Sequence, residues 1–563
     1  MLQFYNKILS KKGFVDLHNH TNDSYGEEMD KMNLSPEELL ESVYEYTKLN
    51  SCPATFALTD HNSIEGDQKI DLLIKSNPKK YENINFIPGA EFTCSAGSLG
   101  TITNNLGHVK NIFKNFHMLA YGFNPYDEDL AFLCKLHSTR RHNSITLTTN
   151  NGVIKISAGA YVLAIKNILK DYGINLTLNE FKDVNLNTDG IDEHHYINYL
   201  IKYIEKFSLP EMIKKDIFYQ LSNRNMITLG RLDCMEVMEI VQNAGGYCVL
   251  AHPCLLKLGS WSKEDPAKTE ETFKTKLSNV GINFGENSSI RTLAFQYCAY
   301  ILKNEARNPV TGKRLTGIVG IETLHSTVRE PLLLKKLVQT ARDNSLYITG
   351  GSDSHGNLIQ AEYLGKFLPI DSLSKPNVNT LYMTNNLFAE NLLSGKIKEN
   401  VNCNKNFDQQ IEITKVIDGI ETKFSYNDLY NFLNNSNRKF TTKNKPAVNK
   451  QTNMEQTRII TSGTISCGTI TFLYSKVLRN KNITTNQVLQ EYKNISAFLP
   501  AVNLAVNTIS NNYFALKDKK YVQKFLREYA NFKELRRRFN EKYPEVVSQF
   551  KDEEKNNDNE KTK

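Results

Sequence analysis

The sequence predicts an α/β protein in which strands alternate with helices as in a barrel, followed by a mainly helical C-terminal region. Three observations predict it. Short apolar runs recur through the first 360 residues, amphipathic helical segments separate them, and the alternation fades past about residue 385. The runs are FVDL (14–17), TFAL (55–58), INFI (84–87), YCVL (247–250), GIVGI (317–321) and LYITG (346–350). Their length and their β-branched or aromatic content suit buried strands. Between them, PEELLESVYEYTKL (36–49) and EPLLLKKLVQTARDN (330–344) carry helical periodicity. The second places Leu333, Leu334, Leu337 and Val338 on one face.

Two stretches interrupt the alternation. Residues 143–245 read mainly helical, with segments such as GAYVLAIKNILKDYG and HHYINYLIKYIEKF, and residues 256–315 read polar and irregular. Both fit insertions in barrel loops, where added chain is best tolerated. The expected organisation is a barrel over 1–385 and a basic, mainly helical region over 386–550. A polar linker is expected at 434–453, and a solvated tail at 551–563.

Composition narrows the function classes. Hydrophobic residues make up 40% of the 563, with 28 Phe and 27 Tyr, which is enough for a large core and excludes a disordered chain. No run approaches the roughly 18 apolar residues of a spanning helix, and MLQFYNKILSKKGF lacks the pattern of a signal peptide. The expectation is a soluble, cytoplasmic protein without a membrane partner. The nine cysteines are scattered and form no CxxC pair, so reduced thiols are expected rather than a thiolate zinc site or disulfides. The net charge is +8. The excess of Lys and Arg lies in residues 401–563, so a surface attracting polyanions is expected there.

The residues directly after the strands carry the chemistry. FVDL runs into His18-Asn19-His20, TFALT into Asp60-His61, and INFIPGA into Glu91. YCVLA runs into His252, and LYITGGS into Asp353-Ser354-His355. Five strands that each end in a histidine or carboxylate would converge on one face of a parallel barrel. Residues two apart on extended chain point the same way, so His18 with His20, and Asp353 with His355, could grip one ion. Mixed imidazole and carboxylate ligation suits Mn, Fe or Zn better than Mg or Ca.

DLHNHT, LTDHNSIEG, PGAEF, FHMLAYGF, AHP and GSDSH occur in the order of the motifs of the PHP (polymerase and histidinol phosphatase) superfamily, which the chain resembles over about 13–122 and 245–370. The resemblance implies a distorted (β/α)7 barrel with two or three divalent metals (Mn, Zn or Fe), hydrolysing phosphoesters by a metal-activated hydroxide. It implies metal ligation by His18, His20, His61, Glu91, His117, His252, Asp353 and His355, with Glu91 bridging. Asp60 is expected to orient a ligand or shuttle a proton beside Glu91 and His252. Among the superfamily's branches, the chain most resembles the stand-alone phosphatases and 5′–3′ exonucleases acting on nucleotides or oligonucleotides. A small-metabolite phosphatase and a non-catalytic scaffold are the alternatives.

The chain departs from the family at one ligand. Relatives carry a metal-binding Asp where this chain has Tyr25, and Asp23 or Glu27 are the nearby carboxylates that could substitute. Arg140 and Arg141 fall where relatives carry phosphate-binding arginines, and a surface charge run reads equally well. Glu322, in GIETLHS, is either a ligand-orienting or a buried structural carboxylate. His108, His137, His194 and His195 have no motif support. SGTISCGT (462–469) lacks the Lys a phosphate-binding loop requires.

Overall fold

The computed structural model describes residues 12–25, 34–103, 109–139, 141–149, 152–189, 191–222, 230–259, 265–282, 284, 288–325, 328, 330–355, 380–397, 407–417, 420–441, 450–480, 483–516 and 520–546. They fall into two compact units, one holding the described residues up to 439 and the other those from 440 onward.

The strands of the first unit are β1 (Phe14–Asp16), β2 (Ala54–Leu58), β3 (Ile84–Ser95), β4 (Thr101–Thr103), β5 (Val109–Asn111), β6 (Asn115–Tyr121), β7 (Ser144–Thr149), β8 (Gly152–Ser157), β9 (Tyr247–Leu250), β10 (Gly320–Leu324), β11 (Tyr347–Gly350), β12 (Thr380–Asn386), β13 (Ile411–Ile417) and β14 (Ile420–Phe424). Seven form the central sheet, in the order β1-β2-β3-β6-β9-β10-β11. That is the strand number expected of the barrel, but the sheet is mixed. β6 runs antiparallel to both β3 and β9, and every other neighbouring pair is parallel. Edge strands β1 and β11 form no ladder among the described residues. Their trailing segments meet instead: Leu17 N donates to Gly350 O (3.3 Å), and Asn19 bridges to Ser354.

Helices cover the sheet as the periodicity predicts. Pro36–Asn50 starts at a capping box made by Ser35 and Glu38. Leu39, Leu40 and Val43 pack on Phe14, Phe56 and Leu58. Pro331–Asp343 buries Leu334, Leu337 and Val338, with Leu333 half-buried. The first interruption holds the β7–β8 hairpin and the helices Ala158–Asp171, Glu193–Tyr203 and Glu211–Ser222. The second is more regular than its polar composition suggests. Pro266–Asn279 and Ile290–Asn304 are both helices, and the first is polar because it buries only Thr269, Phe273 and Leu277.

Around and beyond residue 385, where a mainly helical region is expected, strands also occur. β12, β13 and β14 form an antiparallel sheet, and Tyr382 and Val416 enter the core beside Phe14 and Phe56. The signal for it is the alternation Ile411-Glu412-Ile413 in a short segment. The linker expected at 434–453 is shorter than its composition suggests, because the helices Tyr426–Thr441 and Lys450–Arg479 run into it from both sides. The tail at 551–563 lies outside the described residues.

In the second unit the long helix Lys450–Arg479 packs along Leu499–Leu516 and Lys520–Lys542. Gly463 permits the close crossing, since a Cβ there would meet the Ala505 Cβ at 2.2 Å. The Tyr474 ring lies tilted against Phe539, with centroids 4.9 Å apart. SGTISCGT lies within the long helix and forms no loop. Among the described residues no helix is long and apolar enough to cross a membrane, and every described cysteine is buried and outside any disulfide.

Candidate metal centre

The segments that follow β1, β2 and β11, together with β3, β6 and the turn after β9, bring eight of the expected residues to one place. Glu91, buried near the end of β3, is the hub. Its Oε1 lies 2.6 Å from His117 Nδ1 and 2.7 Å from His252 Nε2. Its Oε2 lies 3.0 Å from His61 Nδ1, 3.3 Å from His20 Nε2 and 3.4 Å from His18 Nε2. Asp353 Oδ1 faces His20 Nε2 at 3.2 Å and His18 Nε2 at 3.4 Å.

His117 comes from the opposite strand direction. An antiparallel strand presents its N-terminal end on the face where parallel strands present their C-terminal ends, and the pairing Thr93–His117 puts this ring beside Glu91. A rule that inspects only the ends of strands has no route to it. His18 sits where β1 passes closest to the segment after β11. A Cβ on Gly351 would lie 2.5 Å from the His18 backbone nitrogen, so the approach needs glycine there.

Asp353 has φ +53° rather than an extended backbone, and it and His355 fall into different groups of three donors, with His355 Nδ1 still 3.8 Å from Asp353 Oδ1. Asp353 joins His18 and His325, whereas His355 joins His20 and His61. His325 escapes the sequence reading because the apolar run GIVGI stops at residue 321. β10 continues to Leu324, and the strand-end rule applied there finds His325. Its Nε2 lies 3.0 Å from Asp353 Oδ2.

Exposure grades across the cluster. His18, His20, His325 and Glu91 form a buried floor, while His61, His355 and His117 side chains are 14%, 20% and 30% exposed and line the mouth. Burial alone would raise the Glu91 pKa, but the imidazoles of His117, His61 and His18 outweigh it and hold the carboxyl well below its usual range. Asp353 behaves likewise, against its burial, through His18, His20 and His325. Burial opposes protonation of His18, yet Glu322, Asp353 and Glu91 raise its pKa well above the usual value. Burial lowers His61 and His117, with neighbouring imidazoles adding to the effect.

The donor chemistry fits divalent metal. His18 Nε2 and His20 Nε2 stand 3.1 Å apart while both face carboxylate oxygens, so lone pairs converge on one another unless a proton or a cation lies among them. Four groups of three donors arise: His18–Glu91–His252, His61–Glu91–His117, His18–His325–Asp353 and His20–His61–His355. Two of them share Glu91, as a bridging carboxylate would.

Asp60 lies beside the cluster. Its oxygens accept from Thr21 N (2.5 Å), Thr21 Oγ1 (2.6 Å) and Ser24 Oγ (3.0 Å), and Ser24 Oγ in turn accepts from His61 N. It therefore ties the loop after His20 to the turn carrying His61. Burial pushes its pKa up to about 7, against those donors. Tyr25 hydrogen-bonds through its hydroxyl to Glu65. Asp23 pairs with Lys69 at 2.6 Å and joins none of the four donor groups; Glu27 lies outside the described residues. Arg140 also lies outside them, and of Arg141 only the backbone, in a short helical turn, is described. His194 and His195 are exposed, and His195 pairs with Asp192. His137 is half-buried with its pKa lowered to about 4 by burial and Arg231, and His108 lies outside the described residues.

No protein-family model matches the chain, and no curated protein matches it. Several solved structures resemble it loosely. One is a candidate metal-dependent phosphoesterase from Bifidobacterium adolescentis, 18% identical, covering 62% of this chain and 89% of that one with a TM-score of 0.27. Another is an amidohydrolase from Chromobacterium violaceum with bound sulfate and no metal, 18% identical, covering 61% and 87%, also with a TM-score of 0.27. Likeness at that level carries no functional argument, which rests on the cluster itself.

Proposed function

We propose that the chain is a metal-dependent phosphoesterase of the PHP type that hydrolyses nucleotides or oligonucleotides. The observation carrying the metal centre is Glu91 shared between two histidine groups. His18, Glu91 and His252 would hold one ion and His61, Glu91 and His117 another, with Asp353, His20 and His355 completing their surroundings. Such ions lower the pKa of water towards ~7 and neutralise phosphoryl oxygens, which an anionic ester needs before water can attack it. The protein's part is to hold ten polar side chains, Glu322 and His325 included, in one cluster with a buried floor and to leave its His61–His117–His355 side open for substrate. Asp60 holds the loops that present His20 and His61.

The phosphoester and nucleotide specificity rests on the ordered sequence motifs and on the basic C-terminal region. Within the helix Lys520–Lys542, Arg536 lies over the Phe532 ring at 6.0 Å, and Arg537 is engaged by Glu534 and Glu541 of the same helix. The self-pairing of Arg537 favours a second reading, a phosphatase for small monoesters that does not use this helix. A turnover screen over mononucleotides, 5′-phosphorylated oligonucleotides and phosphorylated metabolites, with and without added Mn, Zn or Fe, separates the two. Hydrolysis of metabolites alone removes the nucleotide assignment, and hydrolysis of none of the three, with metal bound, removes the enzyme.

A further inference from the structure

β10 is buried throughout, with all five residues of GIETL enclosed between β9 and β11. Its register against β11 advances evenly through Ile321–Ile348 and Glu322–Thr349, then shifts between Glu322 and Leu324, leaving Thr323 as an extra residue. In a regular strand, residues three apart face opposite sides. An inserted residue reverses that parity, and β-bulges beside sites commonly re-aim side chains in this way. Here both Glu322 and His325 face the metal centre.

Their contacts are complementary. Glu322 Oε1 lies 2.9 Å from His18 Nδ1, and Glu322 Oε2 accepts the backbone N–H of His252 at 2.7 Å. The first contact fixes the tautomer and ring plane of His18 so that its Nε2 is directed at Glu91 and Asp353. The second holds His252 in a backbone conformation, φ +21°, that L residues rarely adopt, and from which its Nε2 reaches Glu91. His325 Nε2, 3.0 Å from Asp353 Oδ2, steadies the carboxylate whose other oxygen faces His18 and His20. Both side chains are 1% exposed, so neither is placed to meet substrate.

We propose that Glu322 and His325 are positioning residues that set the affinity of the metal centre without themselves holding an ion, and that the bulge at Thr323 exists to aim both inwards. This rests on the metal-centre reading. Partners that orient metal ligands typically change affinity 10–100-fold when removed.

The test is competition for Zn2+ against a chromophoric chelator, with Glu322→Gln, His325→Asn and wild type compared for affinity and for ions bound at saturation. Near-UV circular dichroism of each metal-free protein reports the fold. The expected result is a native fold, an unchanged number of ions, and affinity lower by about tenfold or more in each variant. Wild-type affinity in both folded variants overturns the proposal, and loss of one ion in His325→Asn makes His325 a ligand. Should Glu322→Gln fail to fold, His325→Asn and His325→Gln decide the outcome alone. A folded wild-type protein that binds no metal would instead refute the metal centre on which the inference stands.

Discussion

The two units place their charges in opposite ways. In the first, histidines and carboxylates from six segments of the central sheet are brought into a largely buried cluster in which imidazole nitrogens face the oxygens of Glu91 and Asp353. In the second, the basic residues of Lys520–Lys542 stay at the surface, and Arg537 is satisfied by Glu534 and Glu541 one turn away. Burying charged groups is costly unless they are paired or hold a cation, so the first arrangement would not persist without a role. An exposed i,i+4 pair contributes little, about 0.3–0.5 kcal/mol, and needs no role beyond solubility. A run of like residues in sequence therefore says less than a few dissimilar ones brought together by the fold.

The largest effect expected on that contrast comes from Glu91→Gln. Losing the shared carboxylate should lower hydrolysis of a chromogenic phosphoester by more than the 100-fold that marks the upper end for orienting partners. Near-wild-type turnover would leave the cluster without a catalytic purpose.

Next in size is a pH effect at Asp60. Its folded-state pKa is raised to about 7 from an ordinary value of 3.8. A raised acid contributes stability that is fully present below the unfolded value and is lost as pH rises through the folded one. In metal-free protein, urea unfolding of wild type should therefore weaken from about pH 4 to pH 7, by up to about 4 kcal/mol from this group. Asp60→Asn should lack that component, so the difference between the two should change with pH across that window. Parallel profiles would mean that Thr21 and Ser24 keep the carboxylate ionised.

Much of this centre is legible in the sequence because strands end where ligands begin. His18, His20, His61, Glu91, His252, Asp353 and His355 all follow apolar runs or close them. Three features are not legible from strand ends. His117 sits near the start of β6, whose reversed direction no local pattern reveals, and only the motif FHMLAYGF points to it. His325 follows a strand whose bulge blurs its length. The left-handed backbone of Asp353 turns its carboxylate towards His18 and His325, and it is set by tertiary packing rather than by local sequence. The β12–β14 sheet escapes for a different reason: TLYMTNN, IEITKVI and IETKF mix polar residues among the apolar ones and so form no continuous apolar run.

A smaller effect concerns Asp23. Asp23 is neutralised by Lys69, so Asp23→Ala should leave the number of bound ions unchanged in metal analysis. Loss of one ion would show that Asp23 leaves Lys69 to complete a third site. The smallest effect belongs to the basic helix. Because Arg537 is engaged within its own helix, changing Arg536, Arg537 and Arg538 to Ala should flatten the log–log salt dependence of single-strand binding by about 1.4 units, the share of two phosphate contacts. No change at any salt concentration would assign these arginines to solvation alone.

The central claim is that two histidine groups share Glu91 as the bridge of a metal centre. Its most direct test is the metal content of the purified, metal-loaded protein by mass spectrometry, wild type beside Glu91→Gln. The account predicts at least two divalent ions per wild-type chain and the loss of both in a folded Glu91→Gln protein. A folded wild-type chain that binds none, or a variant that keeps its full complement, would contradict it.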